Sequence, residues 1–200
     1  MSDDGELFEA WCAGDQRSGA SLFDRHFDAV SRFFRNKVTE DFEDLVQQTF
    51  IACLESRDRF RRESAFRTFL FAIAHNVLRN YFRSRRRDRI DFTSVSAHDL
   101  APGPSTVVAR AREHELLLEG LRRLPLELQV ILELYYWESM TAKAIGEVIG
   151  DSEYTVRNRL RRGKELLRRN METVATSPEE LASTLEGLER WAREIHELAG

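Results

Sequence analysis

The chain has 200 residues, with 30 Lys and Arg against 34 Asp and Glu, a formal net charge of −4. It is 42% hydrophobic and 32% charged, enough apolar matter for one large globular unit or two small ones. The longest stretch without a charge around residues 68–78, TFLFAIAHNVL, is too short to cross a bilayer.

Charge is unevenly distributed. Residues 1–50 hold eleven acids and five bases (−6), and residues 51–91 hold five acids and eleven bases (+6). Residues 92–120 come to −2, residues 121–170 to +3 and residues 171–200 to −5. Two basic blocks set among acidic ones point to two surfaces that face polyanions. The acidic start MSDDGELFEAW is unlike a secretory leader, so a cytoplasmic setting is expected. Cys12 and Cys53 are expected as two buried thiols. The five histidines show no ligand spacing and no GxxxxGK[ST] occurs, so neither metal nor cofactor is expected.

Apolar residues recur at three and four throughout, the helical period, and no segment alternates like a strand. A first long helix is expected over Ala20 to Val38, with Leu22, Phe23, Phe27, Val30 and Phe34 inward. A second starts near Asp41, read as its cap, with Glu43 and Asp44 in the first turn. Its inward face is Leu45, Val46, Phe50, Cys53 and Leu54. After the loop ESRDRFRRES, a third helix runs from a Ser64 cap to about Arg87. Its stripe is Phe66, Leu70, Ile73, Val77 and Tyr81.

Residues 91–106, DFTSVSAHDLAPGPST, read as a linker. Helical spacing resumes near Val107, and Pro125 opens a further helix. In MTAKAIGEVIGDSEYTVRNRLRRGKELL, Thr141 caps a short helix, Gly150 and Asp151 turn, and Ser152 caps a second, a helix-turn-helix layout. With Val156 and Leu160 inward, the other face carries Arg157, Asn158, Arg161, Arg162 and Lys164. Arginine pairs with guanine and asparagine with adenine in the major groove, while Arg159, Arg168 and Arg169 suit phosphates. The same pattern also describes a merely solvated basic face. From Ser177 a last helix is expected, with Pro178, Glu179 and Glu180 in its first turn and one apolar face.

The segment FRTFLFAIAHNVLRNYFRSRRR, residues 66–87, interleaves arginines with aromatics and has no acid. Rings stack on unpaired bases while arginines follow the backbone. The rings could equally be core.

With both halves in view, residues 41–87 resemble conserved region 2 of bacterial extracytoplasmic-function sigma factors. Residues 121–169 resemble region 4. The resemblance implies an all-α fold: a region 2 domain over 1–90, a linker over 91–109 and a helix-turn-helix region 4 domain over 110–172. A C-terminal helical extension, 173–200, would lie outside the minimal pattern, either packing on the second domain or regulating. Implied partners are the RNA polymerase core, through the β′ clamp helices and the β flap, promoter DNA and an anti-sigma factor. Implied core-binding residues are Asp41, Glu43, Asp44, Gln47 and Gln48. Implied −10 residues are Phe60, Arg61, Arg62, Ser64, Phe66, Asn80, Tyr81 and Arg83. Implied −35 residues are Tyr154, Arg157, Asn158, Arg159, Arg161 and Arg162. Phe69 stands where many relatives have tryptophan, and Tyr154 where they have glycine. The reading is of a non-enzymatic initiation factor; the alternative is a helix-turn-helix regulator binding duplex operators without polymerase.

Overall fold

The computed structural model describes residues 3–38, 41–60, 64–85, 110–175, 177, 181, 182, 184 and 187, with backbone only at 59 and 110–114. Among them are eight α-helices and no strand: α1 (Asp4–Cys12), α2 (Gln16–Arg35), α3 (Phe42–Ser56), α4 (Phe66–Arg85), α5 (Arg110–Arg122), α6 (Leu126–Tyr136), α7 (Ala142–Ile149) and α8 (Glu153–Val174). A 3-10 turn, Arg57–Arg59, follows α3.

Helix α1 was not expected from the sequence, yet its start is well determined. The Asp3 carboxylate accepts from the Glu6 amide and the Glu6 side chain returns to the Asp3 amide, a reciprocal cap that satisfies two otherwise orphaned donors. Phe8 and Trp11 are buried beneath it. Trp11 lies over Gly19, where a Cβ would fall 2.6 Å from the indole ring. Helix α2 begins at Gln16 instead of Ala20 because Asp15 caps it through the Arg17 amide. Asp4 then ties α1 to α2, accepting from Arg25 at 2.7 Å and lying 2.6 Å from His26 Nε2.

The first unit, α1–α4, closes on Leu22, Phe33, Phe34, Leu70, Phe71 and Leu78. Burying each such side chain contributes about 1.5–3 kcal/mol. Two residues assigned to this core sit elsewhere: Phe27 is 52% and Leu54 49% exposed. Helix α2 already fills the core with Val30, Phe33 and Phe34, so the ring at 27 falls on the neighbouring stripe. Asp41 precedes α3 but makes no capping hydrogen bond; its carboxylate is taken by the Tyr81 hydroxyl at 3.1 Å and by Arg85. Cys12 is exposed, whereas Cys53 is buried and its thiol is pushed up to about 12 by desolvation.

The second unit, α5–α8, packs Leu121, Leu124, Ile131, Ile145, Val156 and Leu167. Gly163 lets α8 approach α6, since a Cβ there would already touch Leu132 at 3.3 Å. The predicted linker lies outside the described residues. In the extension, Leu181 packs against the core and Thr184 is fully buried.

The two units meet. Helix α4 packs on α7, and charges close the seam between α2 and α6. Lys37 is buried against Glu133, its Nζ also donating to the Phe33 carbonyl at 2.7 Å. Gln129 Nε2 donates to the Asn36 carbonyl at 3.3 Å and to Glu133 at 3.0 Å. Just beyond α6, the buried Glu138 accepts from Arg32 on α2 and Arg67 on α4. Desolvation lowers the Lys37 pKa, and the charges of Glu133 and Glu138 oppose that shift.

Candidate nucleic-acid interface

Helix α7 ends on Gly150, whose φ of 79° is the left-handed conformation that glycine adopts without a Cβ penalty. The Gly150 and Asp151 amides both donate to the Gly146 carbonyl at 2.9 Å. The chain then reverses so tightly that a Cβ on Gly146 would stand 2.5 Å from the Asp151 carbonyl oxygen. Ser152 starts α8, its hydroxyl accepting from the Thr155 amide at 3.1 Å. Thr141 caps α7 in the same manner. Both expected caps and the expected turn are present.

Val156, Leu160, Gly163 and Leu167 form the inner face of α8. Outward stand Arg157, Arg161 and Arg162, with Tyr154 77% exposed at the first turn. Asn158 is half-buried. Arg157 pairs with Glu153 at 2.5 Å on the surface, a contact that contributes little and yields readily to a competing anion.

Arg159, one of the implied −35 residues, is engaged within the protein. It is half-buried, held by Asp151 at 2.6 Å and by Glu127, because its position on α8 turns toward the start of α6. Lys164 stays exposed, its ammonium over the rings of Tyr135 and Tyr136 at 5.0 and 5.1 Å.

On the first unit, the Phe60 ring is half-buried and stacks on Phe69 at 4.6 Å, with Phe8 edge-on at 4.9 Å. Phe66 is buried, between Phe8 and His26. Part of this aromatic set is therefore core. Ser64 is half-buried beside it, and Asn80 and Arg83 are exposed and bonded to each other at 3.1 Å. Tyr81 is half-buried with Arg85 stacked on it. Arg61 and Arg62 lie outside the described residues.

Glu43, Asp44, Gln47 and Gln48 are exposed along α3; Asp41 is half-buried and engaged as described. Beside them runs a feature that the sequence reading missed, an apolar groove between α2 and α3. Phe23, Phe27, Phe42, Phe50 and Leu54 line it, and Ile51 on its edge is 46% exposed. Its signal was an excess: α2 and α3 carry more apolar positions than one inward stripe accommodates.

Comparisons with known proteins agree with this anatomy. The model for Sigma-70 region 2 matches residues 22–88, and that for Sigma-70 region 4 matches residues 114–167. The chain is 29% identical over 182 residues to an ECF RNA polymerase sigma-E factor of Haemophilus influenzae, covering 86% of this chain and 96% of that protein. It is 30% identical over 144 residues to the RNA polymerase sigma factor YlaC of Bacillus subtilis, covering 70% and 82%. Among solved structures, CnrH in complex with the cytosolic domain of CnrY matches with a TM-score of 0.64 at 24% identity, over 84% of this chain and 97% of that one. The sigma factor RpoE in complex with the anti-sigma factor NepR from Bartonella quintana matches at 0.62 and 18% identity, over 78% and 98%. The chain belongs to the extracytoplasmic-function family of RNA polymerase sigma factors, DNA-binding factors of transcription initiation.

Proposed function

We propose that the outer face of α8 reads the −35 element, and that the Phe60 loop with the exposed end of α4 holds the melted −10 strand. The carrying observation is the capped α7–α8 turn, which presents Arg157, Arg161, Arg162 and Tyr154 to solvent while the other side of α8 is core. Arg161 and Arg162 contact bases or phosphates directly, and Arg157 does so by leaving Glu153. Arg159 braces α8 against Glu127 and Asp151 instead of reading DNA. In the first unit, Phe60 is the ring that an unpaired base can reach. Asn80 and Arg83 supply polar contacts, and Phe66 supports Phe60 from the core. Stacking contributes about 1–3 kcal/mol per base, so strand opening is driven by base capture without nucleotide hydrolysis.

The α3 face of Glu43, Asp44, Gln47 and Gln48, with the neighbouring groove, is proposed to dock on the core polymerase β′ clamp helices, and α6–α8 on the β flap. An anti-sigma protein is proposed as a further partner, since the similar sigma factor RpoE is seen in complex with the anti-sigma factor NepR. The setting is cytoplasmic; no described helix is long and apolar enough to cross a membrane.

The test is in vitro transcription with bacterial core polymerase and a promoter library, comparing the full chain with one ending at Val174. Transcripts that share a pair of upstream elements are expected. Specific duplex binding with no transcripts from either form would sink the reading in favour of an operator-binding regulator.

A further inference from the structure

Glu138 sits where two guanidinium groups from the other unit converge. Arg32 on α2 donates to its Oε1 at 3.2 Å and Arg67 on α4 to its Oε2. The carboxylate is 5% exposed, while the arginine side chains are 30% and 26% exposed. Yet the carboxylate does not use all that the two arginines offer. The Nε–H groups of both Arg32 and Arg67 are buried without a hydrogen-bond partner. A guanidinium has five donors in a planar fork that matches carboxylate and phosphate alike, and the tetrahedral oxygens of a phosphodiester can accept from directions that a flat carboxylate leaves unused. Arg67 is also the second residue of α4, directly after Phe66 and close in sequence to the Phe60 loop.

The closed arrangement is also incompatible with reading both promoter elements. Elements about 25 base pairs apart are roughly 85 Å apart along B-DNA, at 3.4 Å per step. A compact 200-residue body is only about 40 Å across. The units must part on a promoter, and parting removes Glu138 from its two arginines, leaving both beside the proposed −10 site.

We propose that Arg32 and Arg67 form a seat for a DNA backbone phosphate near the −10 strand, and that Glu138 occupies this seat as an intramolecular stand-in while the units are closed. The proposal rests on the assignment of the first unit to the −10 strand. Two roles follow for one cluster: a latch in the free protein and a phosphate clamp on DNA. Glu138 and the phosphate exclude one another, so opening and strand capture are linked.

The experiment uses the full chain and a fluorescein-labelled, mixed-sequence single-stranded 20-mer, titrated over a range of salt concentrations. Glu138→Gln keeps the shape and removes the charge. It should tighten binding about tenfold and steepen the slope of log affinity against log salt by about 0.7 for each phosphate seated. Adding Arg32→Gln and Arg67→Gln should abolish both gains. The proposal is overturned by unchanged affinity and slope in Glu138→Gln, or by gains that survive loss of both arginines. Binding of inorganic phosphate that leaves oligonucleotide affinity unchanged would also overturn it, marking a small-anion site. If Glu138→Gln loses helicity by circular dichroism, Arg67→Gln in complex with core polymerase replaces it. Open complexes should then fall apart several-fold faster at raised salt, and an unchanged lifetime would refute the seat. Transcription by the unaltered chain separates the two levels: if it is absent, the −10 assignment fails, and if it is present with no seat effect, only the seat does.

Discussion

The seam between the units and the outer face of α8 are both rich in charge, but they treat it in opposite ways. At the seam, Lys37, Glu133 and Glu138 are nearly shut off from water. On α8, the Arg157–Glu153 pair has side chains 70% and 43% exposed. Exposed pairs contribute about 0–1 kcal/mol and exchange partners freely. Buried pairs are costly to assemble, and their loss on one side leaves a charge with no solvent. The seam therefore specifies how the two units close on one another in the free chain, whereas the α8 face stays available to ligands.

Removing one member of the buried pair should have the largest effect. Lys37→Met leaves Glu133 buried opposite no cation and should cost about 3–5 kcal/mol in urea unfolding. The double variant Lys37→Met/Glu133→Leu should regain most of that. A loss below about 1 kcal/mol in the single variant would show that water reaches the seam and would erase the contrast.

Gly146→Ala attacks the other unit through its backbone. The Asp151 carbonyl cannot move aside as a side-chain end can, so the loss should reach about 2–3 kcal/mol, read as a lowered denaturation midpoint. Gly120→Ala should also lower the midpoint, since a Cβ there would fall 2.7 Å from the Cγ of the fully buried Met171.

His75 tests the seam by pH. It is buried on α4, facing Arg79 on its own helix and Lys37, with Glu127 and Asp151 lining the same cavity. Desolvation, then the charges of Arg79 and Lys37, depress its pKa to about 4 from 6.5. Below pH 6.5 the unfolded chain takes up a proton that the folded chain refuses, so stability falls as pH drops toward 4. The slope contributed is at most about 1.4 kcal/mol per pH unit, or about 2 kcal/mol by pH 5. His75→Gln should flatten the stability curve over that window; parallel curves for variant and parent would count against a dehydrated seam.

Smaller effects belong to α8. Ser152→Ala removes the cap and should cost about 1 kcal/mol. Glu153→Ala should change stability by less than about 0.5 kcal/mol while freeing Arg157. A larger loss would mean that the surface pair holds α8 in place.

Much of this was legible in the sequence because local rules suffice for it. The Ser152 cap, the Gly150 turn and the inward Val156 and Leu160 follow from spacing and residue chemistry within thirty positions. Asp41 was misread because a carboxylate before a helix has a local role to fill, and only the fold brings Tyr81 and Arg85 to it. The ion pairs of Arg159 are not legible in the sequence for the same reason: its acids lie 8 and 32 positions away in Asp151 and Glu127. Phe27 and Leu54 were placed in the core because periodicity finds apolar stripes without saying which stripe meets a neighbour. Helix α1 had its Asp3/Glu6 signature in plain view, with aspartate in the place usually searched for serine or threonine.

The two cysteines carry a practical consequence. Cys53 is fully enclosed, with its thiol pushed up to about 12, whereas Cys12 lies in the open at the end of α1. Thiolate is the reacting form and access decides the rest, so a maleimide dye added to the native chain should attach at one place. The wild-type sequence thus provides its own reporter position on the first unit, beside Trp11, for following polymerase and promoter encounters in real time without any engineered handle.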